Sequence, residues 1–246
     1  MIQPDLSGRT ALVTGSAKGI GRELALSLAA CSASVAVHYH SSDDAADEVA
    51  AEARERGAPS VATACADVTS AQQVDDCFRA VEDELGTVDV LVNNVGAFAP
   101  RHWEEIDVET WHRVIDTNLT ATYLCSRRVL PAMREAGWGR IVNVGYASSD
   151  RGLVSPKNFP FFAAKAGVLM FTRMLAADTA EDGITANAVS PYVVENSAEF
   201  PAELPRGRPA SFEDVTRALS FLVDPDADYV SGANIEVSGG WLPEEV

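Results

Sequence analysis

The sequence predicts a single doubly wound α/β domain, residues 1–246, built on a seven-stranded parallel sheet. Three observations lead there. Apolar runs of strand length alternate with longer amphipathic stretches from one end of the 246 residues to the other, the pattern of successive βαβ units. Leu12-Val13, Val90-Leu91-Val92 and Ile141-Val142 are unbroken β-branched or leucine runs, as strands covered on both faces require. A glycine-rich turn separates the first apolar run from the amphipathic stretch after it, where such folds approach a ligand closely.

Taken in order, strands are expected at Thr10–Thr14, Ser34–Tyr39, Ser60–Cys65, Val88–Val92, Arg140–Val144, Thr185–Val189 and Asn234–Val237. Each is short, apolar and rich in β-branched residues or alanine. Helices are expected at Gly21–Ala30, Asp43–Arg56, Ala71–Leu85, Glu109–Glu135, Phe161–Glu181 and Phe212–Leu222. The last has a start signal, Ser211 three residues before Asp214, the spacing of a reciprocal capping box. No repeat or linker-like stretch divides the chain. Pro191–Pro209 is the most proline-rich and least periodic segment and reads as a surface excursion of the kind that carries substrate contacts.

Composition excludes several function classes. The formal net charge is −17, and the three lysines (Lys18, Lys157 and Lys165) leave arginine as the remainder of 19 basic residues. That balance argues against nucleic acid as a partner, because gripping a phosphate backbone needs clustered cations. The acidic excess reads either as solubility by self-repulsion or as adaptation to a salty cytoplasm. No run of eighteen apolar residues occurs and the first residues lack a secretion-signal pattern, so a soluble, cytoplasmic protein without membrane association is expected. Cys31, Cys65, Cys77 and Cys125 form no CxxC pair; they read as buried small hydrophobes, and no metal site is expected.

The turn after the first strand reads Thr14-Gly15-Ser16-Ala17-Lys18-Gly19-Ile20-Gly21. Glycines there let the backbone approach a pyrophosphate and present helix N-terminal amides to it. The spacing Gly15-x-x-x-Gly19-x-Gly21 resembles that of the short-chain dehydrogenase/reductase family, and the likeness extends over nearly the whole chain. Asn93-Asn94-Val95-Gly96 looks like the family's NNAG, Asn118 occupies the place of its helix asparagine, and Asn187-Ala188-Val189-Ser190-Pro191 resembles its NxVxP. Gly207-Arg208-Pro209, Ser231-Gly232 and Gly239-Gly240 resemble the tail of bacterial 3-oxoacyl-carrier-protein reductases and acetoacetyl-CoA reductases.

The resemblance implies a Rossmann fold, a nicotinamide dinucleotide lying across the strand ends, and an oxidoreductase activity. Cofactor contacts are implied at Gly15, Ser16, Lys18, Gly19, Ile20, Gly21, Asp67, Val68, Asn93, Gly96, Lys165, Pro191 and Val193. At the end of the second strand an NAD enzyme places an acid against the ribose 2′-hydroxyl. Here the chain reads His38-Tyr39-His40-Ser41-Ser42, with no acid before Asp43. His40, Ser41, Ser42 and Lys18 suit a 2′-phosphate, so NADP is the expected cofactor. His38 reads as an ordinary strand-end residue.

The catalytic set departs from the family. Its YxxxK stretch supplies a tyrosine as proton donor and a lysine that holds the ribose and lowers the tyrosine pKa; this chain has Phe161-Phe162-Ala163-Ala164-Lys165. Lys165 is present and the phenol is missing. The family serine after the fifth strand is also displaced: counting from the strand puts Tyr146 there, whereas counting thirteen residues back from Phe161 gives Ser148. Tyr146 is then either a relocated proton donor, its pKa lowered by Lys165, or a pocket-wall aromatic. Tyr192 replaces a usual glycine, and Asn196 stands where a threonine contacts the nicotinamide amide.

The expectation is an NADP(H)-dependent reductase of a ketone or β-keto thioester, with Asn118, Tyr146, Ser148, Phe161 and Lys165 as candidate catalytic positions. The rival is a catalytically silent NADP-binding protein acting as a sensor or an oligomer partner. By resemblance, Glu109–Glu135 and Phe161–Glu181 form a four-helix dimer interface in a homo-oligomer, usually a tetramer.

Overall fold

The computed structural model describes residues 3–151 and 155–241. Its strands are β1 (Thr10–Val13), β2 (Ser34–Tyr39), β3 (Val61–Cys65), β4 (Val88–Asn93), β5 (Gly139–Val144), β6 (Ile184–Pro191) and β7 (Asn234–Val237). They form one sheet in the order β3-β2-β1-β4-β5-β6-β7, and every ladder is parallel. The expected strands are all present. The three continuous apolar runs are neighbours at the centre, with Leu12 aligned to Leu91 and Leu91 to Ile141. Chain order reverses between β1 and β4, which opens a crevice at their carboxyl ends, where open α/β sheets bind ligands.

Helices cover both faces. On one, α1 (Gly19–Ala30), α2 (Asp43–Glu55) and α7 (Phe212–Val223) pack Leu24, Val49 and Leu219 against Val13, Val37 and Val90. On the other, α3 (Ala71–Leu85), α5 (Ala121–Ala136) and α6 (Phe159–Asp178) pack Phe78, Val129 and Leu175 against Leu12, Leu91 and Ile141. Adjacent residues Leu12 and Val13 therefore join opposite cores, as the two-residue period of a strand dictates.

The Ser211 capping box forms as the spacing predicts: the Asp214 amide donates to Ser211 Oγ at 3.2 Å, and the Ser211 amide donates to Asp214 Oδ2 at 2.8 Å. Arg208 also bonds this carboxylate at 2.6 Å. Together these donors hold the Asp214 pKa well below the usual carboxylate range, the Arg208 hydrogen bond being the largest cause.

Three expectations need correction. The helix expected over Glu109–Glu135 is α4 (Val108–Ile115), a π turn (Asp116–Thr120) and α5 in succession; the widened turn sits where Asn118 turns its side chain back onto two carbonyls. The helix expected from Phe161 starts at Phe159, because Asn158 adopts the left-handed conformation (φ 59°) and Pro160 enters the first turn. Cys65 is exposed, unlike the other three cysteines: it is the last residue of edge strand β3 and points away from the core.

By length and composition α6 could cross a membrane, but half of its apolar window is buried within the fold. Among the described residues no three His, Cys, Asp or Glu side chains gather as a metal site.

Candidate active site

The glycine turn joins β1 to α1. Gly15 and Gly19 have φ of +66° and +58°, a region that L side chains rarely adopt. Gly21 is needed for a different reason: a Cβ there would lie 2.3 Å from the Gly15 carbonyl oxygen and 2.5 Å from Asn94 Nδ2. The first amides of α1 have no intrahelical partner. No side chain caps them and no acid stands in the first turn, whereas α3, α4 and α7 are capped by Ser70, Asp107 and Ser211. With exposed Lys18 at the N-cap and Ile20 half-buried in the first turn, this end of α1 is arranged to receive an anion. Asn196 arrives from the excursion after β6 and lies over Gly19, its Nδ2 3.1 Å from where a Cβ would project.

Ser16 bonds to β2 through both its backbone and its side chain. It is fully buried, its amide donates to the His38 carbonyl at 2.9 Å, and its hydroxyl accepts the His38 amide at 2.9 Å. It therefore ties the turn to β2 and turns its side chain away from any ligand. At the end of β2, His40 and Ser41 are exposed and Ser42 is the half-buried N-cap of α2. After β3, Asp67 Oδ1 accepts from the Thr69 amide (2.9 Å) and hydroxyl (2.7 Å). Those hydrogen bonds lower its pKa, the one from the Thr69 hydroxyl most. Val68 beside it is buried.

Of the Asn93-Asn94 pair, the second proves the more informative. Asn93 is buried, and its Nδ2 donates to Ser126 Oγ (3.0 Å) and Asn143 Oδ1 (2.8 Å), cross-linking β4, β5 and α5. Asn94 instead braces the glycine turn: its Nδ2 donates to the Thr14 carbonyl at 2.9 Å, while its amide donates to Thr14 Oγ1 at 2.9 Å. Thr14 and Asn94 were not singled out as site residues, although their place at the carboxyl ends of β1 and β4 was a signal. Gly96 leaves room for Asn118, whose Oδ1 would be 2.3 Å from a Cβ at that position.

Asn118 is fully buried, and its Nδ2 donates to the carbonyls of Ala97 and Val114, both at 2.9 Å. Its Oδ1 has no partner among the described residues, an acceptor left for a bound group or water. Lys165 is buried on α6 and donates to the Val144 carbonyl at 2.6 Å. Burial brings its pKa down to about 8. Phe161, one helical turn before it, is 3% exposed; its ring centroid is 5.6 Å from Lys165 Nζ and 4.4 Å from that of Phe98.

Tyr146 follows Gly145 at the end of β5. It stands edge-on to Phe161 at 5.5 Å and touches Phe162, Tyr192 and Trp241 at 5.5, 6.1 and 6.3 Å between ring centroids. Tyr192 and Trp241 are themselves stacked, 3.9 Å apart. Phe162 and Trp241 were not foreseen, since nothing in their sequence spacing marks a shared cluster. Burial among these rings pushes the Tyr146 pKa up and Tyr192 adds to the rise, with Lys165 not among the causes, against the alternative in which Lys165 lowers it.

Ser148 is fully buried with φ 62°; its amide donates to Glu236 Oε1 at 2.9 Å, and its hydroxyl has no partner among the described residues. Enclosed in that way, it offers no exposed hydroxyl to a substrate.

The rim is closed by pairing two loops. His102 bridges Lys157, and the Asn158 side chain accepts the Ala99 amide at 2.8 Å. Pro191 ends β6, and the Val193 carbonyl accepts the Ala210 amide at 2.9 Å, anchoring the excursion. Tyr192 also lines a cavity of about 450 Å³ bounded by Arg206, Arg208, Glu236 and Gly239; Asn118, Tyr146, Phe161 and Lys165 do not line it.

A family profile described as Enoyl-(Acyl carrier protein) reductase matches residues 15–242. The chain belongs to the short-chain dehydrogenase/reductase family. A 3-oxoacyl-[acyl-carrier-protein] reductase of Synechocystis sp. is 36% identical over 245 residues, 96% of this chain and 98% of its own length. An acetoacetyl-CoA reductase of Rhizobium meliloti is 36% identical over 244 residues, 94% of this chain and 98% of its own. Among solved structures, a gluconate 5-dehydrogenase from Burkholderia cenocepacia in complex with NADP and tartrate superposes with a TM-score of 0.88 at 30% identity, covering 97% of both chains. A putative gluconate dehydrogenase from Agrobacterium tumefaciens gives 0.90 at 33% identity over 98% of both. A short-chain dehydrogenase/reductase with an uncapped α1 N-terminus and an orphan Asn118 acceptor has the donor set that a nicotinamide dinucleotide fits.

Proposed function

We propose that the chain is an NADP(H)-dependent oxidoreductase that reduces a ketone or β-keto thioester of the 3-oxoacyl type, with Tyr146 as its proton donor. The observation that carries the reading is the phenol of Tyr146 against Phe161, at the mouth of the site where Phe161 itself has no hydroxyl. The relatives named 3-oxoacyl and acetoacetyl-CoA reductase support the substrate class. NADP is favoured by His40, Ser41 and Ser42 after β2, with no acid before Asp43, by Lys18 in the glycine turn, and by the NADP complex of a structural relative.

When bound, the reduced nicotinamide supplies the hydride. The residues do the rest. The α1 N-terminus and Lys18 hold the pyrophosphate, and Lys165 holds the ribose. The Tyr146 hydroxyl donates a hydrogen bond to the substrate carbonyl and then its proton to the developing alkoxide, forming the O–H bond of the alcohol. A phenol whose pKa burial has raised can still do this, because an alkoxide's conjugate acid is a weaker acid than water, at about 15.7. Tyr146 recovers its proton from solvent.

The test is NADPH oxidation with an acetoacetyl thioester by the unaltered chain and by Tyr146→Phe. Turnover by the first that the second loses supports the reading, and equal turnover refutes the role of Tyr146. One observation favours the silent NADP-binding alternative: Phe161 is packed against Phe98 at 4.4 Å where the family's acid stands. Tight NADPH binding without turnover on any carbonyl tested would select it. A homo-oligomer belongs to the same proposal, supported by Tyr123, Met170 and Met174, exposed on α5 and α6, and sedimentation measures it.

A further inference from the structure

His38, near the carboxyl end of β2 and beside the glycine turn, is 1% exposed, yet no step above uses it. Both of its ring nitrogens are engaged. Nδ1 lies 2.9 Å from the Gly15 amide and Nε2 lies 3.1 Å from the Ala66 carbonyl. A backbone amide can only donate and a carbonyl can only accept, so the ring is neutral, with its proton on Nε2. The two partners belong to different parts of the crevice. Gly15 opens the glycine turn, and Ala66 precedes the Asp67-Val68 turn after β3.

We propose that His38 is a positioning residue for the dinucleotide, a neutral imidazole strut that fixes the Gly15 peptide through Nδ1 while Nε2–H anchors the ring to Ala66. The inference rests on the cofactor reading given above. Gly15 sits at φ +66° with its amide turned inward to the ring. The direction of that peptide sets the course of the chain through Ser16 to the uncapped amides of α1. Ser16 reinforces the strut by exchanging hydrogen bonds with the His38 backbone. A protonated ring would set an N–H against the Gly15 N–H, and burial opposes that state, bringing the His38 pKa down to about 4.

Two substitutions separate positioning from general stability. Asn places a carbonyl oxygen close to the Nδ1 position and keeps the acceptor for Gly15, while giving up the link to Ala66. Gln extends its amide toward the Nε2 position and keeps the Ala66 link, while leaving Gly15 without an acceptor. Each retains one of two hydrogen bonds. His38→Asn, His38→Gln and His38→Phe are compared with the unaltered chain by NADPH fluorescence titration and, without cofactor, by thermal unfolding.

The expected result is a dissociation constant for His38→Asn within about threefold of the unaltered chain, and weakening by about tenfold or more for His38→Gln and His38→Phe. The unfolding temperatures of the Asn and Gln variants should fall by similar amounts. Equal loss of affinity in the Asn and Gln variants, or affinity that simply follows unfolding temperature, overturns the proposal. If the unaltered chain binds neither NADPH nor NADH, the cofactor reading fails and this inference with it.

Discussion

A tyrosine at position 161 supplies the hydroxyl that Phe161 lacks. Phe161→Tyr adds one hydroxyl to a ring that is 3% exposed and lies 5.6 Å from Lys165 Nζ and 5.5 Å from Tyr146. Burying a hydroxyl without a partner costs about 1–3 kcal/mol, so the unfolding temperature should drop by about 2–12 °C, at about 2–4 °C per kcal/mol for a chain of this size. The gain is larger. A positioned general acid contributes about 10²–10⁴ in rate, roughly 3–5 kcal/mol of barrier. Lys165, already buried and facing this ring, would lower the new phenol's pKa, an effect Tyr146 does not receive.

The assay is NADPH oxidation with an acetoacetyl thioester, reading kcat for the unaltered chain, Phe161→Tyr, Tyr146→Phe and the double variant. In the Tyr146→Phe background, where no other phenol delivers the proton, Phe161→Tyr should raise kcat at least about 100-fold. Tyr146→Phe should abolish turnover alone and cost far less beside Phe161→Tyr, since both phenols deliver the same proton and neighbouring effects of that kind do not add. A double variant that binds NADPH, stays folded and turns over no faster than Tyr146→Phe alone would refute the reasoning.

Other predictions concern the frame around the site. His38 has a folded pKa of about 4 against 6.5 for the free side chain, so the unfolded state binds more protons in that window. Stability is then complete above pH 6.5 and falls by about 3 kcal/mol as the pH drops through about 4; urea unfolding across this range should show the loss, reduced in His38→Asn. For Lys165 the folded pKa of about 8 lies below the ordinary 10.5, so its charge is a burden at pH 7 that disappears as the pH rises between those values. Lys165→Met should therefore unfold no earlier than the unaltered chain at pH 7 while losing most of its NADPH affinity, and a clear fall in unfolding temperature would contradict this. Gly21→Ala forces a Cβ to 2.3 Å from the Gly15 carbonyl oxygen; calorimetry should show an earlier transition, and dinucleotide binding should be lost. With a formal charge of −17, the unfolding temperature should rise as salt goes from about 0.01 to 1 M, where the screening length shrinks from about 30 to 3 Å; a flat response would show that the acidic surface is already balanced.

Much of this molecule was legible in the one-dimensional pattern. The sheet is a product of short apolar runs whose burial on both faces leaves few alternatives, and each expected strand formed within a few residues of its predicted ends. The glycine turn was equally readable, because Gly15 and Gly19 occupy conformations that few other residues tolerate. Phe161 and Lys165, singled out by the resemblance, lie one turn apart on α6. Local chemistry of that kind, in which a residue's type is dictated by its own backbone or its immediate neighbours, is written in sequence order.

What the tertiary structure decided depends on residues far apart in the chain. Tyr146, Phe162, Tyr192 and Trp241 come together only because β5, α6, β6 and the segment after β7 end side by side, and their combined burial raises the Tyr146 pKa where the sequence pointed the other way. His38 read as a strand-end residue until Gly15 and Ala66 were found on its two nitrogens. The division has a physical cause. Backbone conformation and hydrophobic period are short-range properties of the chain, whereas desolvation and hydrogen-bond partnership are set by whichever groups folding brings to one point.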